Sequence, residues 1–383
     1  MTDVVIAATG MVPFSKESAV SADMLAAGAV RALFDESGVD PGLVEEAYVG
    51  TAKGGGLIGQ RSLRFAGLAS GLPTFNVESA CASSAVAFHL ARRTISDSGI
   101  DCALVVGVDK LSTLGKGALP VQETEWEGQA GVTNPVVYAM RARRYMHETG
   151  ATVEDLARVS VKARRFASAN PFAHMRDQVT VDEVLQSRMV ADPLTLYQCS
   201  PKSDGAAAVL LVSDGLASRA GLSGPRVRAT VVKSGRFSMA ERDITRPDIT
   251  LRASEEAFAA AGIGPEEFDV VELHDAFSIA ELLYCEELGL CPEGEAPRFL
   301  ESGESSSLEP SRHALVNPSG GLMGRGHPIG ATGAAQIVEL TDQLRGRASS
   351  QREGARTAMA HVTGGGASGF DNGACAVTIL TAD

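Results

Sequence analysis

The chain has 383 residues, 44% of them hydrophobic and 21% charged, which excludes wholesale disorder and allows a large core or two to three domains. A formal charge of −13, from 34 basic and 47 acidic side chains, argues against a surface built for DNA or RNA, while leaving room for a basic pocket around one phosphorylated cofactor. The apolar runs are too short for a bilayer, no basic-then-apolar leader opens the chain, and the six scattered cysteines form no C-x-x-C pair, so a cytoplasmic enzyme with reduced thiols and no metal site is expected.

Taken in order, residues 4–8 read as a buried strand, 22–35 as a helix and 47–50 as a short strand. Next comes Glu78-Ser79-Ala80-Cys81-Ala82-Ser83-Ser84-Ala85, running into the helix-like Val86-Ala87-Phe88-His89. That context puts Cys81 at a helix N-terminus, where unpaired N–H groups and the dipole favour a nucleophilic thiolate. A lone cysteine would otherwise read as a small core residue. Residues 102–108 form a clear strand, after which the chain changes character from about 116 to 198. This stretch holds the single Trp and the basic runs Arg141-Ala142-Arg143-Arg144 and Lys162-Ala163-Arg164-Arg165, and it reads as a helical insertion before the strand at 206–212.

A repeat follows. Gly38-Val39-Asp40-Pro41, then Val44 and Val49-Gly50, returns 224 residues later as Gly262-Ile263-Gly264-Pro265, then Phe268 and Leu273-His274. Each copy is a helix-ending glycine, a turn proline and a strand that stops at a loop, so two similar halves are expected. In the second copy the strand ends in His274-Asp275-Ala276-Phe277, which suits either the mouth of a site or an ion-paired loop histidine. The glycine-rich stretch 317–333 centres on Gly326-His327-Pro328; it has no Gly-Lys-Ser/Thr and so is not a phosphate loop, but it presents a fixed imidazole suited to proton transfer or oxyanion stabilisation. Finally, Gly364-Gly365-Gly366 precedes a closing strand at 374–379, as a structural turn or as backbone brought close to a reacting centre.

With these segments in hand, the chain resembles the thiolase superfamily, and within it the sterol-carrier-protein-x type. Gly326-His327-Pro328-Ile329-Gly330-Ala331-Thr332-Gly333 looks like the family's GHPxGAxG box, Cys81 matches its nucleophile segment, and His274-Asp275-Ala276-Phe277 is similar to its HDCF box. The resemblance implies an α/β fold with a five-layer αβαβα core: an N-terminal half over 1–222 with an inserted loop domain at about 116–198, and a C-terminal half over 223–383. It also implies a homodimer or dimer of dimers, and coenzyme A as substrate or product rather than a permanently bound cofactor. By the same resemblance, Cys81 is acylated, His327 activates it, His274 helps to hold an oxyanion, and Gly364, Gly365 and Gly366 bring backbone to the site. Arg141, Arg144, Arg164 and Arg165 become candidates for CoA phosphates, with a solvated helix face as the plainer alternative for any one of them.

Two departures stand out. The family's second cysteine, in CxGGG, is replaced by Val362, and the cysteine of HDCF by Ala276. Neither side chain can move a proton, so His274, His361, Cys375 or the thiol of CoA itself must do so, with His274 preferred, or the reaction differs. The leading expectation is an acyl-CoA C-acyltransferase that makes or thiolytically cleaves a 3-oxoacyl-CoA, of a kind used in lipid metabolism. The alternatives are a carbon–carbon lyase or decarboxylating condensing enzyme working with a small zinc-ribbon/OB-fold companion, and a non-catalytic acyl-CoA-binding scaffold.

Overall fold

A computed structural model describes residues 2–68, 70–115, 117, 119, 126–236, 243–246, 248–368 and 371–383. Its strands are β1 (Val4–Met11), β2 (Glu46–Gly50), β3 (Thr74–Val77), β4 (Cys102–Lys110), β5 (Met189–Ala191), β6 (Leu194–Thr195), β7 (Asp204–Ser213), β8 (Arg226–Ser234), β9 (Val270–Glu272), β10 (Leu315–Val316), β11 (Thr357–Ser368) and β12 (Asp371–Thr381). The helices are α1 (Ala22–Ser37), α2 (Ile58–Ala66), α3 (Ser83–Ser98), α4 (Trp126–Gln129), α5 (Asn134–Thr149), α6 (Val153–Ala169), α7 (Val181–Gln186), α8 (Asp214–Ala220), α9 (Asp248–Ala261), α10 (Ser278–Glu287), α11 (Ala296–Glu301), α12 (Gly321–Gly324) and α13 (Thr332–Leu344). No helix among the described residues is long and apolar enough to cross a membrane.

Apart from the small β5–β6 pair, the strands form two runs, β3-β2-β4-β7-β1 and β10-β9-β11-β12-β8, which touch at one bridge between Val5 and Arg226. In both runs the first two strand pairings are parallel and the last two antiparallel, so each half repeats the other's topology. The sequence repeat maps onto this equivalence. Gly38 and Gly262 end α1 and α9 with φ of 66°, the left-handed cap that favours glycine. One 3₁₀ turn then follows in each copy, at Pro41–Leu43 and Pro265–Glu267, before β2 and β9.

Packing separates the residues into layers. Val5, Leu104, Val106, Ala208 and Leu210 pack under α1 on the outer side of the first run. Ile6, Val105, Val209 and Leu211 share an inner cluster with Phe88 and Ile95 of α3, Ile337 and Leu340 of α13, and Val270 and Ala358 of the second run. Val271, Met359, Val377 and Ile379 face outward again, onto Ala253 and Ala257 of α9 and Leu282 of α10. This gives the five-layer αβαβα core, with α3 and α13 in the middle. Because both faces of each sheet are covered, β4 and β7 read as continuous apolar runs rather than alternating ones.

The expected strands and the first helix all form, each a little longer than its apolar core. Between β4 and β7 the chain carries α4 to α7 and the β5–β6 pair. Of the two readings of Gly364 to Gly366, the structural turn does not hold: they lie in the body of β11, with Gly364 opposite Ala374 and Gly366 opposite Asn372.

Candidate active site

The two central helices begin alike. A 3₁₀ turn at Ala80–Ala82 leads into α3, and one at Ile329–Ala331 leads into α13. Cys81 lies in the first turn and His327 just before the second, so corresponding places in the two halves bring thiol and imidazole together. Cys81 Sγ is 3.2 Å from His327 Nε2. Thr332 favours one imidazole tautomer: with its hydroxyl donated to the Pro328 carbonyl at 3.1 Å, its oxygen is left to accept from His327 Nδ1–H at 2.7 Å. The lone pair of Nε2 therefore faces the thiol.

The turn that carries Cys81 has a strained backbone. Ala80 adopts φ of 48°, unusual for a residue with a Cβ. Its N–H donates to Glu78 Oε1 at 2.8 Å, and its carbonyl accepts from Ser83 Oγ at 2.6 Å, which locks the turn. Gly364 lets β11 lie directly against this turn, since a Cβ there would stand 2.2 Å from the Ser79 carbonyl oxygen.

Burial pushes the Cys81 thiol up to about 12, although the amides of Gly365 and of Cys81 itself are hydrogen-bonded toward the sulfur and favour the thiolate. Burial, reinforced by Arg325, likewise takes His327 down to about 3. Desolvation thus works against the helix dipole and the two amides, and burial favours a neutral thiol hydrogen-bonded to a neutral imidazole.

His274 completes the set. Its ring meets that of His327 edge to face, with centroids 5.3 Å apart. Burial holds its pKa well below the ordinary value, with His327 and His361 adding to the effect. Cys81 Sγ and one ring nitrogen from each of His274 and His327 lie within 4.8 Å of one another; among the described residues they are the atoms that could take a metal ion.

Other sequence candidates are placed elsewhere. Val362 packs on Ala82 and Ala85 beside the nucleophile turn. Alternation along β11 therefore turns His361 to the outer layer, where Nε2 lies 3.2 Å from Thr250 Oγ1 and the ring meets Tyr284 at 4.6 Å. Cys375 is fully buried in the same outer cluster, while its neighbour Ala376 faces Ala82. Neither His361 nor Cys375 joins Cys81, because the strand period points them away. The basic runs also divide. Arg141 is buried against the Tyr138 ring, and Arg164 is buried against Tyr197 while donating to the Asp177 carbonyl at 2.9 Å. Arg144 is exposed and paired with Glu148, and Arg165 is exposed over Phe166. Arg141 and Arg164 thus pack inward, whereas Arg144 and Arg165 stay at the surface.

Several positioning groups escaped the sequence reading. Asp109 is fully buried, and its carboxylate accepts from Thr51 Oγ1 at 2.8 Å, Lys53 N at 2.8 Å and Gly330 N at 2.6 Å, pinning the turn after His327. Its signal was present, as a lone carboxylate closing an apolar strand. Arg325 and Glu272 form a fully buried pair at 3.2 Å that ties the His327 loop to β9. The mouth of a site was one of two readings for the His274-Asp275 pair. Asp275 instead accepts from Leu322 N at 2.7 Å under α12, and burial, with Glu281 nearby, pushes it up to about 7.

Comparisons with known proteins agree with this geometry. The family signature "Thiolase, N-terminal domain" matches residues 4–215, and "Thiolase C-terminal domain-like" matches 230–372. The chain is 42% identical over 369 residues to a benzoylsuccinyl-CoA thiolase subunit, BbsB, of Thauera aromatica, covering 95% of each chain. It is 39% identical over 376 residues to an acetyl-CoA acetyltransferase of Methanothermobacter thermautotrophicus, covering 95% of this chain and 97% of that one. Among solved structures, an Ltp2-ChsH2(DUF35) aldolase superposes with a TM-score of 0.84 at 25% identity, covering 100% of this chain and 98% of that one.

Proposed function

The chain belongs to the thiolase family, and we propose that its Cys81, His327 and His274 carry out the acyl transfer of a thiolase-type acyl-CoA C-acyltransferase on a 3-oxoacyl-CoA. The observation that carries the assignment is the 3.2 Å contact between Cys81 Sγ and an imidazole nitrogen whose lone pair Thr332 turns toward the sulfur.

In the cleavage direction, the Cys81 proton passes to His327 Nε2 as the sulfur attacks the 3-keto carbon. The oxyanion forms next to the amides that already face the sulfur, those of Gly365 and Cys81. The C2–C3 bond then breaks, leaving an acyl group on Cys81 and the enolate of the shorter acyl-CoA, whose oxygen meets the imidazole edges of His274 and His327. The proton taken from Cys81 is returned to C2 through these imidazoles. Free CoA-SH then attacks the acyl-enzyme: its proton goes to His327 and on to the departing Cys81 sulfur, so the enzyme ends as it began. His274 takes the part of the missing second thiol, since Val362 and Ala276 are apolar and His361 and Cys375 face the outer layer. Coenzyme A thus enters as substrate, and the exposed Arg144 and Arg165 are the remaining candidates for its phosphates.

A homodimer is supported by the edge strand β3. It ends the first sheet with Phe75 47% exposed, and Phe65 of the neighbouring α2 is 46% exposed. A small companion of the zinc-ribbon/OB-fold kind is supported by the relative named as a subunit and by the aldolase solved with a DUF35 chain. The same aldolase, with the apolar Val362 and Ala276, favours a second reading, retro-aldol cleavage of a CoA thioester. Incubation with a panel of 3-oxoacyl-CoA and 3-hydroxyacyl-CoA thioesters separates the two. The first reading requires CoA-dependent loss of the 3-oxo compound; the second gives an aldehyde or ketone without added CoA.

A further inference from the structure

We propose that Lys162, from the inserted segment, is a positioning residue for His274, acting through Glu281 and Asn317; the proposal rests on the acyltransferase reading above. Lys162 begins a basic run that looks like a solvent-facing or phosphate-binding stretch, yet its side chain on α6 is only 4% exposed. Its Nζ lies 2.6 Å from Glu281 Oε1 on α10 and donates to the Val316 carbonyl at 3.0 Å. The other carboxylate oxygen, Glu281 Oε2, accepts from Asn317 Nδ2 at 3.0 Å. Asn317 Oδ1 in turn accepts at 2.8 Å from the N–H of Leu273, the residue before His274. Lys162, Glu281, Asn317 and Leu273 are all buried.

The last link explains why a side chain is needed there. The β10–β9 ladder pairs Leu315 with Val270 and Val316 with Val271, and Asn317 N still donates to the Val271 carbonyl at 2.8 Å. Asn317 then takes φ of 53°, turning the chain out of the ladder. Its side-chain amide replaces the lost strand partner and holds the Leu273 N–H. The orientation of that amide is fixed by a carboxylate, which is fixed in turn by a lysine from another part of the chain. A buried ion pair is a poor device for stability alone, because apolar side chains of equal volume pack as well. Here it ends on the peptide that carries the imidazole, which is what orientation requires.

The test compares Lys162→Met, Lys162→Arg and Asn317→Gly in the full-length protein, with secondary structure checked by circular dichroism. Asn317→Gly suits the left-handed backbone and leaves the Lys162–Glu281 pair intact, so it breaks the chain without burying an unpaired charge. With acetoacetyl-CoA and CoA as probe, Lys162→Met and Asn317→Gly should lower kcat about 10- to 100-fold, as displacement by about an ångström does, with KM unchanged within about twofold. Alkylation of Cys81 by iodoacetamide should stay within about twofold of the parent, and Lys162→Arg should recover most of kcat. In protein labelled with ¹⁵N-histidine and no substrate, the ring signals of His274 should move, and by more than those of His327. Parent-like kcat and His274 signals in Asn317→Gly would overturn the proposal, as would Cys81 alkylation falling in step with kcat. If the parent turns over no 3-oxoacyl-CoA, it is the acyltransferase reading that fails, and the ring signals alone decide the positioning role.

Discussion

Thr332 offers a sharp perturbation, because it acts on the reaction through one hydrogen bond. Its hydroxyl accepts from His327 Nδ1–H at 2.7 Å and so leaves Nε2 bare toward Cys81 Sγ, 3.2 Å away. Thr332→Val keeps the side-chain shape and the start of α13 but removes the acceptor. The imidazole can then keep the productive tautomer with a buried N–H unsatisfied, at a cost of about 1–3 kcal/mol, or turn its proton toward the sulfur and lose the base. At about 1.4 kcal/mol per tenfold, the expected loss in kcat and in the rate of Cys81 alkylation is about 5- to 150-fold. Thr332→Ser, which restores the acceptor, should recover most of it. Stopped-flow loss of the 3-oxoacyl-CoA enolate absorbance and iodoacetamide labelling followed by mass spectrometry give the two rates. A folded Thr332→Val protein with both rates at parental values would refute the tautomer argument.

Further outcomes follow from the same geometry. His327→Ala removes the base and one oxyanion donor together and should cost on the order of 10²–10⁴ in kcat without unfolding the protein, checked by turnover and circular dichroism. Since burial places the Cys81 thiol at about 12, its alkylation rate should keep climbing through pH 9.5, with no plateau near the ordinary thiol value. His361 is held down to about 3 by burial, whereas the unfolded chain protonates it near 6.5. The unfolded state therefore binds the extra proton between these values, and the parent loses stability relative to His361→Phe by about 1.4 kcal/mol per pH unit as pH falls from about 6 to about 4, readable by urea titration. Restoring a thiol, as Val362→Cys or Ala276→Cys, should raise CoA-dependent thiolysis if the missing group limits it. Unchanged rates in both would mean that this proton transfer is already met.

Much of this molecule was legible as sequence, for identifiable reasons. Strands covered on both faces must be apolar throughout, so β4 and β7 stood out, and the capped helix–turn–strand phrase ending at Gly50 and His274 exposed the duplicated halves. Cys81 and His327 were legible because close backbone approach demands small residues around them. Less legible was anything set by the balance of opposing effects. The helix N-terminus at Cys81 favours a thiolate while burial works against it, and residue type alone does not weigh the two. Charge runs misled in the same way: Arg141, Lys162 and Arg164 resemble a phosphate patch along the chain, yet helical spacing turns them inward. Which of His361 and Val362 faces the nucleophile depends on a one-residue register that the Gly364–Gly366 run hides. Asn317 and Thr332 each act through a pair of hydrogen bonds whose partners lie on other segments or about one turn away, and residue type alone does not reveal them.

The central claim concerns the fate of one sulfur atom, and intact-mass spectrometry reads it directly. After brief incubation with a 3-oxoacyl-CoA in the absence of free CoA, the protein should gain one acyl group, mapped by peptide analysis to Cys81 and discharged on adding CoA. Product formation at the parental rate by Cys81→Ala, or an acyl group mapped to another residue, would contradict the account.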